Sequence, residues 1–128
     1  MKLLIDTCGW IEWITKSDLS EIYSKYLKNV NHVLVPTIVQ YELYKWVCRE
    51  ANENLASEII GVTSQCHVVA LSTELALSAS EISAHYKLAM ADAIVYATSN
   101  LYKALLVTSD KYFQHLPNVK YLSKQVLN

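Results

Sequence analysis

Four short runs of uninterrupted apolar character constrain this chain more than any other feature: KLLI at 2–5, HVLV at 32–35, HVVAL at 67–71 and ALLV at 104–107. None alternates polar with apolar, as a strand with one wet face does. A strand covered on both faces reads this way. The runs are separated by segments long enough for one or two helices, and parallel strands need crossovers of that kind because tight hairpins cannot join them. The pattern predicts an α/β domain with three layers (α/β/α) and a central, mostly parallel sheet. VKYL at 119–122, following Pro117 and Asn118, predicts a short last strand.

The intervening segments carry helical spacing. In DLSEIYSKYLKN, Leu19, Ile22, Tyr23, Tyr26 and Leu27 fall on one face, and Asp18 with Glu21 reads as a capping box. Pro36 and Thr37 open a helix that breaks near Asn52 and stops at Gly61. Ser72 or Thr73 caps another helix, and a further one containing Asp92 ends near Tyr102.

With 128 residues and 52% hydrophobic content, the chain can bury a core of its own. No repeat, linker or low-complexity run divides it, so a single domain over 1–128 is expected. Its apolar runs are too short to span a bilayer. Asp6 and Glu12 interrupt the region where a signal peptide carries its apolar core, so a cytoplasmic location is expected. Cys8, Cys48 and Cys66 are odd in number and widely spaced, which suits reduced thiols better than a disulfide framework or a zinc site.

Asp92 raises the chemical question. It lies in KLAMADAIVYATS, with Leu88 and Ala89 one turn before it and Val95 and Tyr96 one turn after. A carboxylate on an apolar stripe needs compensation or a polar site beside it. Three other acids fall where a parallel sheet gathers ligands, outside the carboxyl ends of its strands. Asp6 follows the first strand, Asp110 follows the fourth, and Glu42 lies in the helix after the second. Clustered carboxylates repel unless protonated or bridged by a cation. An all-oxygen set suits Mg²⁺ or Mn²⁺, which can activate water for attack on a phosphodiester. Thr7, Thr108 and Ser109 add hydroxyls able to orient water or a phosphate oxygen. Each acid also has a plainer role open to it, for Asp92 an ordinary surface position, though its apolar neighbours weigh against that. Asp6 can cap a helix at Gly9 and Trp10, Asp110 a turn at Lys111, and Glu42 can pair with Lys45.

Taken together, IDTCGWIEWI, VPTIVQYEL, LAMADAIVYA and LLVTSDKYF resemble the PIN-domain ribonucleases, specifically the VapC toxins of bacterial toxin–antitoxin pairs. The resemblance covers essentially the whole chain. It implies that Asp6, Glu42, Asp92 and Asp110 bind Mg²⁺ or Mn²⁺ and carry RNA hydrolysis, with Thr108 as the small hydroxyl beside the last acid. It implies a homodimer, a cognate antitoxin protein and an RNA substrate of the tRNA or rRNA class. The chain departs from the family in three places. Lys103 and Ala104 replace a common glycine before the fourth strand, Ser109 replaces a common arginine, and Lys111 and Tyr112 occupy a loop that carries a further acid in some relatives.

Net charge is −1, which gives no basic signature for nucleic acid. Without the four candidate ligands, however, eight acids face eleven bases. Arg49 is the sole arginine, so steering of RNA by this chain is expected to be electrostatic and salt-sensitive. Trp10, Trp13, Tyr23, Tyr26, Tyr41, Tyr44 and Trp46 concentrate in the first helical regions, which are expected to supply the dimer or antitoxin surface. Two other functions fit the same motifs: a PIN nuclease of RNA maturation, and a non-catalytic RNA- or protein-binding PIN module. The second is expected to lack one or more acids, and this chain keeps all four.

Overall fold

The computed structural model describes residues 1–124, so the last four residues of the expected 1–128 unit lie outside the description. Five strands form one sheet: β1 (Leu3–Ile5), β2 (Val33–Pro36), β3 (His67–Val69), β4 (Leu105–Thr108) and β5 (Val119–Tyr121). They lie in the order β3-β2-β1-β4-β5, and every pairing is parallel. Each apolar run became a strand. Val33, Leu34 and Val35 are buried without a break, as are Leu106 and Val107, which is what cover on both faces requires.

Six helices complete the three layers: α1 (Thr7–Ile14), α2 (Ser20–Leu27), α3 (Thr37–Glu50), α4 (Glu53–Thr63), α5 (Thr73–Tyr86) and α6 (Met90–Leu101). They pack as successive pairs, α1 on α2, α3 on α4 and α5 on α6. Asn52 caps α4 through Leu55 N–H at 2.8 Å, and Ser72 caps α5 through Leu75 N–H at 3.1 Å. The core joins Leu4 and Ile5 of β1 to Trp10, Tyr23, Val39, Leu43, Tyr96 and Phe113.

Two local expectations are corrected. Asp18 does not cap α2, which begins after Leu19 with no side-chain cap bond, because a turn precedes the helix in which the Ser20 N–H bonds to the Ser17 carbonyl at 3.0 Å. Gly61 does not end α4, which continues to Thr63. Nothing lies within 4 Å of where its Cβ would be, so it is simply an exposed helical position.

Candidate active site

The direction of winding reverses at β1. The chain steps from β1 outward to β2 and β3, then returns across the sheet to place β4 on the other side of β1. Such a switch point opens a crevice at the carboxyl ends of the two central strands. Leu3, Leu4 and Ile5 run in register with Leu105, Leu106 and Val107. The residues that follow, Asp6 on one strand and Thr108 to Asp110 on the other, therefore emerge side by side.

Asp6 is 5% exposed and acts as the N-cap of α1. Its Oδ1 accepts from the Gly9 N–H at 3.3 Å and the Cys8 thiol at 2.9 Å. Its Oδ2 accepts from the Thr108 hydroxyl at 2.7 Å. Thr108 is fully buried, and its oxygen accepts in turn from the Asp110 N–H at 2.9 Å. The Asp110 carboxylate caps the turn that follows, accepting from the Tyr112 N–H at 2.9 Å. The capping roles open to Asp6 and Asp110 are thus real, and they coexist with a shared location.

Glu42 reaches the same edge from α3. It accepts from the Thr7 hydroxyl at 2.6 Å, a bond that spans 35 residues of sequence. The alternative partner, Lys45, sits over the Tyr41 ring, 5.9 Å from its centroid. Asp92 stands in the first turn of α6, half-buried, with Leu88, Val95 and Tyr96 buried around it and Ala89 exposed.

The electrostatics tie the four acids together. Burial lifts the Asp6 carboxyl to about 6, with a further push from Asp110, against the opposing bonds from Cys8, Thr108 and Gly9. Burial also lifts Asp92 to about 6, with added repulsion from Asp110, Asp6 and Glu42 in that order. Among the described residues the ion pairs are Arg49–Glu50 and Lys124–Glu12, so none of the four acids is in a direct ion pair; the Lys124 ammonium, held by Glu12, is the one cation whose field reaches Asp6. The donor set is all carboxylate and hydroxyl oxygen, which fits a hard divalent cation and no soft one. Among the described residues no three acidic, histidine or cysteine side chains already converge closely enough to clasp an ion. Like charges do not gather unaided, and three of the four carboxylates are turned toward hydrogen-bond donors of their own.

Two expected hydroxyls have other duties. Thr7 holds Glu42, and Ser109 is buried with its Oγ 2.7 Å from the Tyr23 hydroxyl rather than facing the crevice. Sequence reasoning missed Tyr23 and Cys8. The thiol is one of three free cysteines and is pushed far above its ordinary range by burial and then by the Asp6 charge, so it remains a protonated donor. Its place two residues beyond a helix-capping aspartate was the available signal. Of the aromatic residues expected at a partner surface, Trp10 and Tyr23 are core, Trp13, Tyr26 and Trp46 are half-buried, and Tyr41 and Tyr44 are exposed.

The PIN domain family model matches residues 3–119, and the chain belongs to that family. No curated protein matches it by sequence. Among solved structures it is similar to a toxin–antitoxin complex from Klebsiella pneumoniae, with TM-score 0.80 and 21% identity over 93% of this chain and 96% of that one. It is similar to the DNA-bound VapBC of Salmonella typhimurium, with TM-score 0.74 and 17% identity over 96% and 98% of the two chains. A third is VapC20 of Mycobacterium tuberculosis, a sarcin–ricin loop cleaving toxin, with TM-score 0.73 and 15% identity over 91% and 95%. At these identities the likeness is one of fold.

Proposed function

We propose that this chain is a Mg²⁺- or Mn²⁺-dependent endoribonuclease and the toxin of a VapBC-type pair. Membership of the PIN family supports a nuclease, and the toxin–antitoxin neighbours support the biological setting. The observation that carries the reading is the gathering of Asp6 and Asp92, both raised to about 6, with Asp110 and Glu42 in one cleft, none of the four in a direct ion pair among the described residues. Such a site holds excess negative potential that a divalent cation relieves.

In this reading Asp6, Glu42, Asp92 and Asp110 hold the ion. When bound, the ion activates water and offsets the charge developing on the phosphodiester in an in-line displacement. The rest is the protein's own work. Thr108 fixes Asp6 and the Asp110 backbone together, and Thr7 fixes Glu42. The substrate is RNA of the tRNA or rRNA class, drawn in by a bound ion and by surface lysines, so cleavage weakens with salt.

The partners in this reading are a cognate antitoxin and a second copy of the chain, in the cytoplasm. The exposed rings of Tyr41 and Tyr44 support a partner surface, lining with Cys48 and Ile60 a largely apolar groove of about 750 Å³. Among the described residues no helix is long and apolar enough to cross a membrane.

The deciding experiment is cleavage of tRNA and rRNA by the purified protein with Mn²⁺ or Mg²⁺, set against EDTA and against Asp92→Asn. Loss of cleavage under both treatments, with the variant folded, supports the reading. Equal cleavage by Asp92→Asn refutes it.

A further inference from the structure

Behind the crevice runs a polar chain that the acids alone do not explain. It begins at the buried Tyr23 hydroxyl of α2, 2.7 Å from Ser109 Oγ. The Ser109 N–H then donates to Cys8 Sγ at 3.4 Å. Cys8 Sγ lies 2.9 Å from Asp6 Oδ1 and 3.6 Å from Thr108 Oγ1.

The direction of each bond follows from the inventory of protons. Thr108 spends its one hydroxyl proton on Asp6 Oδ2, and its oxygen already accepts from Asp110 N–H. Sulfur accepts from the Ser109 N–H, so its single proton is available for the strongest acceptor in reach. That acceptor is the carboxylate, and a bond to a charged acceptor is the stronger kind. Both Asp6 oxygens therefore carry a side-chain donor, one from α1 and one from β4. The last torsion of an aspartate is broad, and besides these two side-chain donors the Gly9 N–H restrains Oδ1 at 3.3 Å.

We propose that Cys8 is a positioning residue whose thiol, donating to Oδ1, holds the Asp6 carboxylate in the orientation that receives a divalent cation. The proposal rests on the carboxylate–metal reading above. The group beside a ligand tunes affinity through orientation, and loss of such a partner costs metal affinity about 10- to 100-fold. A hydroxyl in place of the thiol retains one donor proton, so serine preserves the role and alanine removes it.

The test is titration calorimetry of Mn²⁺ into metal-free protein without RNA, comparing wild type, Cys8→Ser, Cys8→Ala and a Cys48→Ala control. The expected result is about tenfold weaker binding for Cys8→Ala, with Cys8→Ser and the control close to wild type. A Cys8→Ala protein that melts earlier yet binds Mn²⁺ as tightly as wild type overturns the proposal, because the thiol then serves packing alone. Should Cys8→Ala not fold, the S–H stretching band is read instead, in the Cys48→Ala/Cys66→Ala protein where Cys8 is the one thiol left. A band lowered from the free-thiol frequency and moved by Mn²⁺ supports the proposal; one at the free-thiol position, unmoved by Mn²⁺, overturns it. Wild type that binds no Mn²⁺ fails the metal reading itself and takes this proposal with it. Equal binding in all variants removes only the role of Cys8.

Discussion

Thr108 and Asp6 are 102 residues apart in sequence and 2.7 Å apart in space, a hydroxyl and a carboxylate oxygen joined between the ends of two adjacent parallel strands. The same threonine oxygen accepts the Asp110 N–H. One buried side chain thus holds two of the four acids in register. Replacing it by valine keeps the shape and leaves the buried Asp6 oxygen and the partly buried Asp110 N–H each short of a bond. Leaving buried polar groups unsatisfied costs about 1–3 kcal/mol, and we expect Thr108→Val to lose that much in urea unfolding and to lose metal-dependent cleavage. Thr108→Ser should retain most of both. Unchanged unfolding of the valine variant would mean the bond contributes nothing to the fold.

The raised carboxyls make stability depend on pH in an unusual direction. Folded values of about 6 for Asp6 and Asp92 lie above the ordinary 3.8, so the folded protein holds these protons more tightly than the unfolded chain does. The stability they contribute is full at about pH 4 and is lost as pH rises through about 6. For these two groups, the metal-free melting temperature should fall across that window, the reverse of the trend set by salt-bridged carboxylates. Mn²⁺ should raise the melting temperature most above about pH 6, where the carboxylates ionise and the ion binds the folded state. Asp92→Asn should raise the metal-free melting temperature at neutral pH while abolishing the Mn²⁺ response. A melting temperature that neither falls over this window nor responds to Mn²⁺ would contradict the electrostatic account.

Most of this architecture is legible in the sequence because it rests on burial. Apolar runs with no polar alternation read as strands covered on both faces, although HVVAL became the edge strand β3 with His67 exposed. Acids placed just after such runs meet at one edge once the sheet is parallel. What is not legible is which donor each acid chooses. Glu42 has Lys45 one turn away, yet takes the Thr7 hydroxyl 35 residues distant, because a position three residues away on a helix is a local option and the sheet topology supplies a closer one. Ser109 reads as a candidate for the cleft until Tyr23 fills the space behind it. The Asp18 cap fails because Leu19 lies in a turn, with the Ser20 N–H on the Ser17 carbonyl at 3.0 Å, so the helix starts one residue too late for Asp18 to be its cap. Helix ends are hidden too, since left-handed residues fall on Lys87 and Lys103 rather than on glycine.

The two glycines should respond to alanine in opposite ways. A Cβ at Gly9 would lie 2.5 Å from Cε1 of Tyr23 and 2.6 Å from Cγ2 of Ile5. Both neighbours are fully buried, so neither can step aside, and Tyr23 also holds Ser109. Overpacking of this kind costs about 1–3 kcal/mol. Gly61 sits inside α4 with open space around it, and alanine there should stabilise by about 0.5–1 kcal/mol. Thermal or urea unfolding of the two variants checks both signs, and Gly9→Ala matching wild type would show that the α1–α2 contact is loose.

Lys103 stands where the family resemblance leads one to expect glycine, and it holds a conformation that glycine suits. Its φ is 52°. It follows Tyr102 at the end of α6, and the closing bonds are those of a left-handed helix stop. The Ala104 N–H donates to Ser99 O at 2.8 Å, and the Lys103 N–H donates to Asn100 O at 3.2 Å. That stop turns the chain straight into β4, because Ala104 is buried and Leu105 N–H bonds to Lys2 O at 3.0 Å. A side chain with a Cβ pays about 1–2 kcal/mol to sit in this region, while glycine loses about 0.5–1 kcal/mol more backbone entropy on folding. The difference favours glycine by up to about 1.5 kcal/mol. We therefore expect Lys103→Gly to raise stability in urea unfolding without changing Mn²⁺ affinity, and Lys103→Val to lower stability by more than the glycine gain, since a β-branched residue tolerates positive φ least. A destabilised Lys103→Gly would show that the exposed lysine contributes more through its side chain than its backbone costs.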